Sequence, residues 1–308
     1  MLFACLSQLF VYNPPHVPLL EHVRLTSLFY GSLSFDSCYA GQIRINFDTF
    51  GSLDSEQQTM PLRNSSMKIC ALSDTHGNDF TIPQCDVFCH CGDWSPLEIQ
   101  DDFVSMASWM ETFITHLCNL PCRHVVIIAG NHDKIMDSIM GKGLFEDIQY
   151  RLGLCTSFIG ENGIPKTKKK VHYLNRTSVE LDGVRFWGSP VTKQIDRYRK
   201  HWAFETNTPE YDIPEDTDVI LTHHPSDYKG LGNTHWHMPE PSKRLGVKSL
   251  TDAVLKTKAK MHLCGHIHTG NHSPVVYMNE AQTVGWNVSM LDENYVVAYE
   301  PLQFVLKR

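Results

Sequence analysis

The sequence predicts a layered α/β fold, and three observations carry that expectation. An apolar strand, an amphipathic helix and a second apolar strand follow one another between residues 86 and 129, the alternation that stacks helices on a sheet. Apolar strands here run directly into polar clusters beside a Gly or Pro, as expected where side chains gather at the carboxyl ends of sheet strands. The 308 residues are 42% hydrophobic and 20% charged, enough apolar material for a sizeable core.

In chain order, residues 1–66 lack sustained periodicity, although Ile43–Phe47 alternates like a strand. They are expected to form an N-terminal extension, accessory or poorly ordered, with one domain over residues 67–308. Met67–Gly77 reads as a buried strand closed by a turn at Gly77 and Asn78. Asp74 and His76 lie two apart, so an extended backbone would point both the same way. A carboxylate oxygen and an imidazole nitrogen together make a metal foothold. Taken alone, a turn residue plus a surface His explains the pair better.

Asp86–His90 is a second apolar strand and ends in Cys-Gly-Asp at 91–93. Residues 101–118 predict a helix, with Phe103, Met106, Met110, Phe113 and Leu117 at steps of three and four and Asp101, Asp102 and Glu111 among the polar positions. That stripe reads as core. The strand His124–Ala129 ends in Gly130-Asn131-His132-Asp133. Lys166–Lys170 reads as a solvated loop. Val184–Gly188 and Asp218–Thr222 read as strands, the second running into His223-His224-Pro225. A loop rich in Gly, Pro and His follows over 226–246. A strand from Lys260 leads into Gly265-His266-Ile267-His268, and Thr283–Ser289 with Asn294–Pro301 alternate like paired antiparallel strands.

Composition narrows the function classes. The net charge of −7 and the lack of a basic, aromatic-interleaved stretch argue against nucleic acid as main partner. The ten Cys lack paired C-x-x-C spacing, and Cys89 and Cys91 lie along a strand. They read as packing thiols of a reducing compartment. No apolar run reaches transmembrane length, and Met1–Tyr12 lacks the positive start of a secretory signal. A cytoplasmic location with no membrane partner is the expectation.

Asp74/His76, Asp93, Asn131/His132/Asp133, His223/His224 and His266/His268 thus each follow an apolar strand and should converge. Their order resembles that of the calcineurin-like metallophosphoesterases: D-x-H, G-D, G-N-H-[D/E], H, G-H-x-H. Ser73-Asp74-Thr75-His76, Gly188-Ser189-Pro190, Asn287-Val288-Ser289 and Leu291-Asp292-Glu293 resemble the branch of metallophosphoesterase domain-containing proteins. The resemblance covers about residues 67–300. It implies two packed mixed β-sheets flanked by helices.

It also implies two divalent ions, Mn, Fe or Zn. Asp74, His76 and His268 would hold one, Asn131, His223 and His266 the other, and Asp93 would bridge them. A hydroxide shared by the ions would be the nucleophile, with His132 as acid or transition-state stabiliser and Asp133 orienting it. His223 is selected over His224 by the family order, since neighbours on an extended segment face opposite ways. His235, His237 and His262 are not expected to be ligands, and Cys264 reads as packing. The implied activity is a phosphodiesterase acting on a small phosphate ester such as a nucleotide. The alternatives are a phosphomonoesterase, a protein phosphatase, a nuclease, or a catalytically inactive binding scaffold on the same fold.

Overall fold

A row of strands that are apolar on both faces organises the chain, since such strands must be covered on both sides. The computed structural model describes residues 24–26, 32–38, 42–47, 66–152, 170–195, 202–235 and 243–307. The strands before the domain are β1 (Arg24–Thr26), β2 (Ser32–Cys38) and β3 (Gln42–Phe47). The chain continues through β4 (Ser66–Leu72), β5 (Val87–Cys91), helix α1 (Phe103–Asn119), β6 (His124–Ile128), α2 (Ile139–Arg151) and β7 (Lys170–Tyr173). Then come β8 (Thr177–Leu181), β9 (Val184–Ser189), the short pair β10 (Thr192–Lys193) and β11 (Glu205–Thr206), and β12 (Val219–Thr222). The last elements are α3 (Lys248–Val254), β13 (Met261–Cys264), β14 (Val275–Val276), β15 (Val284–Asn287) and β16 (Leu302–Lys307).

Two mixed sheets result. One runs β1-β2-β3-β16-β4-β5-β6-β7 and the other β14-β15-β13-β12-β9-β8. In the first, β4 to β7 are parallel and β16 is antiparallel to β4. In the second, β9, β12, β13 and β15 are parallel, with β8 and β14 antiparallel at the edges. Alternation along β4 explains the layering. Met67, Ile69 and Ala71 face the second sheet, packing with Phe186, Leu221 and Leu263, whereas Cys70 and Leu72 face α1 and α2. A third cluster, including Trp187, Ile220 and Leu250, covers the outer face of the second sheet with α3. The α/β architecture and the two packed mixed sheets flanked by helices are as expected from the sequence.

Helix α1 begins at Asp102, whose side chain accepts from Val104 N–H at 3.1 Å. It stops before Pro121, which disfavours helical backbone in the residue ahead of it. Met106, Met110, Phe113, Ile114 and Leu117 are buried, but Phe103 is exposed at the helix start.

Helix α2 gives no such stripe because Gly141 and Gly143 interrupt it, each costing a helix about 1 kcal/mol relative to Ala. Gly141 is required by contact, since an added Cβ would lie 1.8 Å from the Ile135 carbonyl oxygen.

The tail also departs from the expectation. Thr283–Ser289 and Asn294–Pro301 do not pair as antiparallel strands. β15 sits between β13 and β14, and residues 292–296 form a turn built on the Asp292 carboxylate, which accepts from Asn294 and Val296 N–H. The strand that closes the chain is β16, and β3 pairs with it, so the first sheet continues into residues preceding Met67. Lys170 starts β7; the rest of the Lys166–Lys170 stretch, Trp236 and His237 lie outside the described residues.

A backbone ladder link joins the sheets. Ser73 pairs with Ser289 in parallel, donating its N–H to the Val288 carbonyl at 2.8 Å and accepting from Met290 N–H at 2.8 Å. It lies just beyond the carboxyl ends of β4 and β15.

Candidate metal centre

All the predicted ligands leave strand ends at this junction. Asp74 and His76 follow β4, Asp93 follows β5, Asn131 follows β6, His223 follows β12, and His266 and His268 follow β13. Asp74 and His76 do not converge through extended backbone, as the spacing suggested. Asp74, His76, Asp93 and His266 instead have φ of 55°, 44°, 57° and 67°, the left-handed region. Such a residue costs roughly 1–3 kcal/mol and persists where the surroundings over-determine it. Gly265 and Gly130 permit the close approach. A Cβ on Gly265 would sit 2.2 Å from Asp74 Oδ2, and one on Gly130 would sit 2.2 Å from Asp93 Oδ1.

Three groups of side chains here bring ligand atoms within 4.8 Å of one another: Asp74/His76/His268, Asp93/His223/His266 and His76/Asp93/His132. Asp93 belongs to the second and third groups and lies beside His76 of the first. Its Oδ1 accepts from His132 N–H at 2.8 Å, leaving Oδ2 3.1 Å from His223 Nε2 and 3.8 Å from His76 Nε2. Asn131 Oδ1 is 3.0 Å from the same His223 nitrogen. Asp74 accepts from His266 N–H at 3.0 Å to both oxygens and from Ser289 Oγ at 2.9 Å, with His268 Nε2 3.3 Å away.

The donor set fits divalent cations. His223 Nδ1–H donates to the Cys91 carbonyl at 2.8 Å and His268 Nδ1–H to the Asp292 carbonyl at 3.0 Å. Each Nε2 lone pair is thereby turned inward, the tautomer a metal requires. His76 Nδ1 and His266 Nε2 are buried without a hydrogen-bond partner. Asp74 and Asp93 are 0% and 2% exposed and face His side chains, so two buried carboxylates gather where positive charge is needed to offset their desolvation.

Titration follows from this crowding. Burial opposes ionisation of Asp74, but the hydrogen bond and charge of His268 hold its pKa well below the carboxylate range. Burial lowers His76 to about 4. For His223, burial is outweighed by Asp93 and Asp74, which raise it to about 9. Burial and the Asp93 charge push Asp133 up to about 7, against the N–H groups it accepts from.

His132 is placed at the cleft wall, and its supports differ from the expectation. Its Nδ1 lies 2.7 Å from Gln100 Oε1. Asp133 uses its carboxylate elsewhere. Its carboxylate is fully buried behind the loop, where it accepts from the N–H groups of Asp93 at 2.8 Å, Gly130 at 2.7 Å and Ser95 at 2.9 Å. Asp133 therefore ties the Asp93 and Asn131 loops to each other through backbone N–H groups.

His224 packs on the His266 ring at 4.7 Å but spends both nitrogens on backbone, accepting from Lys193 N–H at 3.3 Å and donating to the Leu245 carbonyl at 2.8 Å, which leaves none for a metal. His262 is bonded to Thr222 and Tyr277 beneath the second sheet, and His235 is exposed near Glu293. Cys264 is buried in β13.

The cleft above the ligands has a volume of about 550 Å³. Leu97, Gln100, Ile195, Trp202, Glu205 and Tyr295 complete its walls. Sequence reasoning missed these because none sits at a diagnostic spacing. The Tyr295 ring lies edge-on to His76 and His268 at 5.2 and 5.1 Å, and Trp202 packs on His132 at 4.4 Å. Ser289 and Asp292 did carry a signal, though only as part of the branch-like tail motifs.

Comparison with known proteins agrees with this geometry. The family profile described as Calcineurin-like phosphoesterase matches residues 67–270. The human and mouse proteins named Metallophosphoesterase domain-containing protein 1 are each 26% identical over 248 residues, covering 76% of this chain and 69% of theirs. A UPF0046 protein of Caenorhabditis elegans is 25% identical over 246 residues, covering 79% of this chain and 76% of its own. A solved structure 10% identical, covering 72% of this chain and 90% of its own, has a TM-score of 0.50 and shares the fold. With the profile spanning most of the chain and the metal-ligand clusters inside it, and with the metallophosphoesterase domain-containing proteins among the chain's relatives, the chain belongs to the calcineurin-like phosphoesterase family, metal-dependent hydrolases of phosphoester bonds.

Proposed function

We propose that this chain is a dinuclear-metal phosphodiesterase acting on a small phosphate ester such as a nucleotide. The observation carrying this reading is the shared position of Asp93, whose Oδ2 faces both the His76 side and the His223 side of the ligand set. Asp74, His76 and His268 would hold one ion; Asn131, His223 and His266 the other; the oxygen and nitrogen donors suit Mn, Fe or Zn. When bound, the two ions supply positive charge for the phosphoryl oxygens and lower the pKa of a water from about 15.7 towards about 7, making it a nucleophile at neutral pH.

The chain's own residues do the rest. Imidazole ligands keep the net charge of the centre low enough to admit a phosphate. Asp133 pins the Asp93 and Asn131 loops through backbone N–H groups. With Nδ1 of His132 tied to Gln100, Nε2 is the ring nitrogen left to give a proton to the departing oxygen. The cleft walls carry no Lys or Arg among the described residues, which favours a singly charged diester over polyphosphate or nucleic acid. The branch likeness supports the diesterase choice over a monoesterase. A volume of about 550 Å³ suits a small molecule more than a protein substrate. No helix among the described residues is long and apolar enough to cross a membrane, and the free, buried thiols of Cys70, Cys89, Cys91 and Cys264 suit action in the reducing cytoplasm.

Metal analysis combined with turnover of p-nitrophenyl mono- and diesters in Mn²⁺ tests the reading. Two ions per chain and preferred turnover of diesters are expected, with His132→Ala retaining metal but losing about 10²–10⁴-fold in kcat. Preferred monoester turnover would replace the diesterase reading, and no bound metal with no turnover would favour the binding scaffold.

A further inference from the structure

We infer that Gln100 is a positioning residue for His132, an inference that rests on the proton-donor reading of His132. The ring of His132 is bounded by Trp202, at 4.4 Å between centroids and 46° between planes, and by the edge-on ring of His76 at 4.9 Å. These neighbours fix the plane of the imidazole but not which nitrogen points where. Torsion about the bond to a His ring is broad and roughly two-fold, so packing by shape alone admits a flipped ring. A flip would place carbon where the donor nitrogen belongs. The contact of 2.7 Å between His132 Nδ1 and Gln100 Oε1 is the interaction that breaks this symmetry.

Gln100 is itself held in place. It closes the short 3-10 turn Leu97–Ile99, and the next residue, Asp101, pairs with Lys134 at 2.6 Å. Lys134 Nζ lies 4.5 Å from the centre of the Trp202 ring. Two side-by-side contacts, Gln100 to His132 and Asp101 to Lys134, thus stitch the segment after Asp93 to the loop after Asn131. The amide oxygen accepts the Nδ1 proton, so a neutral His132 has its remaining lone pair on Nε2, and a charged His132 has its transferable proton there. The arrangement serves the ring before and after it gives up that proton.

The test is a double-mutant cycle on the metal-loaded protein with bis-p-nitrophenyl phosphate, together with nitrogen NMR of the His132 ring. Gln100→Ala is expected to lower kcat on the order of 10–100-fold at unchanged KM and metal content. Gln100→Glu, which keeps an acceptor at the same reach, is expected to recover most of that loss. In a His132→Ala background, Gln100→Ala is expected to cost nothing further. In the ring spectra, the Nδ1-protonated form should dominate in the parent and give way to mixed tautomers in Gln100→Ala. Unchanged kcat and tautomer in Gln100→Ala, or full additivity with His132→Ala, would overturn the assignment. Unchanged kcat in His132→Ala alone would instead defeat the proton-donor reading, while the tautomer shift would still report on Gln100.

Discussion

Replacing Gly265 by Ala is expected to strip one metal position while leaving the protein folded. Gly265 lies outside the left-handed region, so Ala meets no backbone strain there, and the cost is steric. Its Cβ would fall 2.2 Å from Asp74 Oδ2 and 2.1 Å from Ser73 Oγ. Carbon and oxygen need roughly 3.5 Å, so the Asp74 carboxylate must retreat by at least about 1 Å. That carboxylate is anchored by His266 N–H and Ser289 Oγ. Losing one or two such hydrogen bonds costs about 1.5–3 kcal/mol each, against a typical domain stability of about 5–15 kcal/mol. A misplacement of about 1 Å at a reacting centre lowers turnover on the order of 10²-fold. Gly143→Ala makes the same chemical change in α2 with nothing within 4 Å of the new Cβ. It is expected to stabilise by about 0.4–1 kcal/mol and leave metal content intact. Metal stoichiometry after dialysis against Mn²⁺, circular dichroism and turnover check both variants. A Gly265→Ala protein with full metal content and parental kcat would show that the close packing around Asp74 is not needed.

Three further outcomes are expected. Asp74→Asn keeps the fold but weakens one metal position, measured by equilibrium dialysis, and full metal and activity in that variant would contradict the ligand assignment. Chelation lowers Tm, because two buried carboxylates lose their compensating charge; at a metal concentration 1,000-fold above Kd the stabilisation lost is about 4 kcal/mol, and a Tm indifferent to chelator would refute this. Acidification destabilises the metal-free protein through His90 and His262, which burial lowers to about 3 each. The unfolded chain takes up these protons first, so stability falls as pH drops below about 6.5 and continues falling to about 3. At pH 5.5 each His contributes a loss of about 1.4 kcal/mol, and urea midpoints equal at pH 7 and 5.5 would rule it out.

Much of the candidate centre was legible because its Asp, Asn and His side chains occupy strand ends, and strand ends are marked in sequence by an apolar run broken at Gly or Pro. Asp93 after β5 and His266 after β13 show this plainly. What supports the ligands was not legible. Gln100 closes a 3-10 turn with no distinctive spacing, and Trp202 and Tyr295 reach the cleft from loops whose paths only the tertiary fold determines. Asp133 shares the motif of His132, and its side chain satisfies buried backbone N–H groups of two loops that no sequence spacing marks. α2 escaped notice because its glycines erase the apolar stripe, and the tail was misread because alternation over Asn294–Pro301 reflects a turn built on Asp292. The accessory reading of residues 1–66 meets a fold in which β3 lies beside β16, within the same sheet as β4.

The link between Ser73 and Ser289 has a mechanical consequence. Asp74, Asp93 and Asn131 belong to one sheet, and His223, His266 and His268 to the other, so bound ions would act as a bolt through both. Prying the sheets apart and releasing metal then become one event. The amides of Ser73 and Met290, which span the seam, should exchange with solvent slowly while the bolt is in place and together once it is drawn.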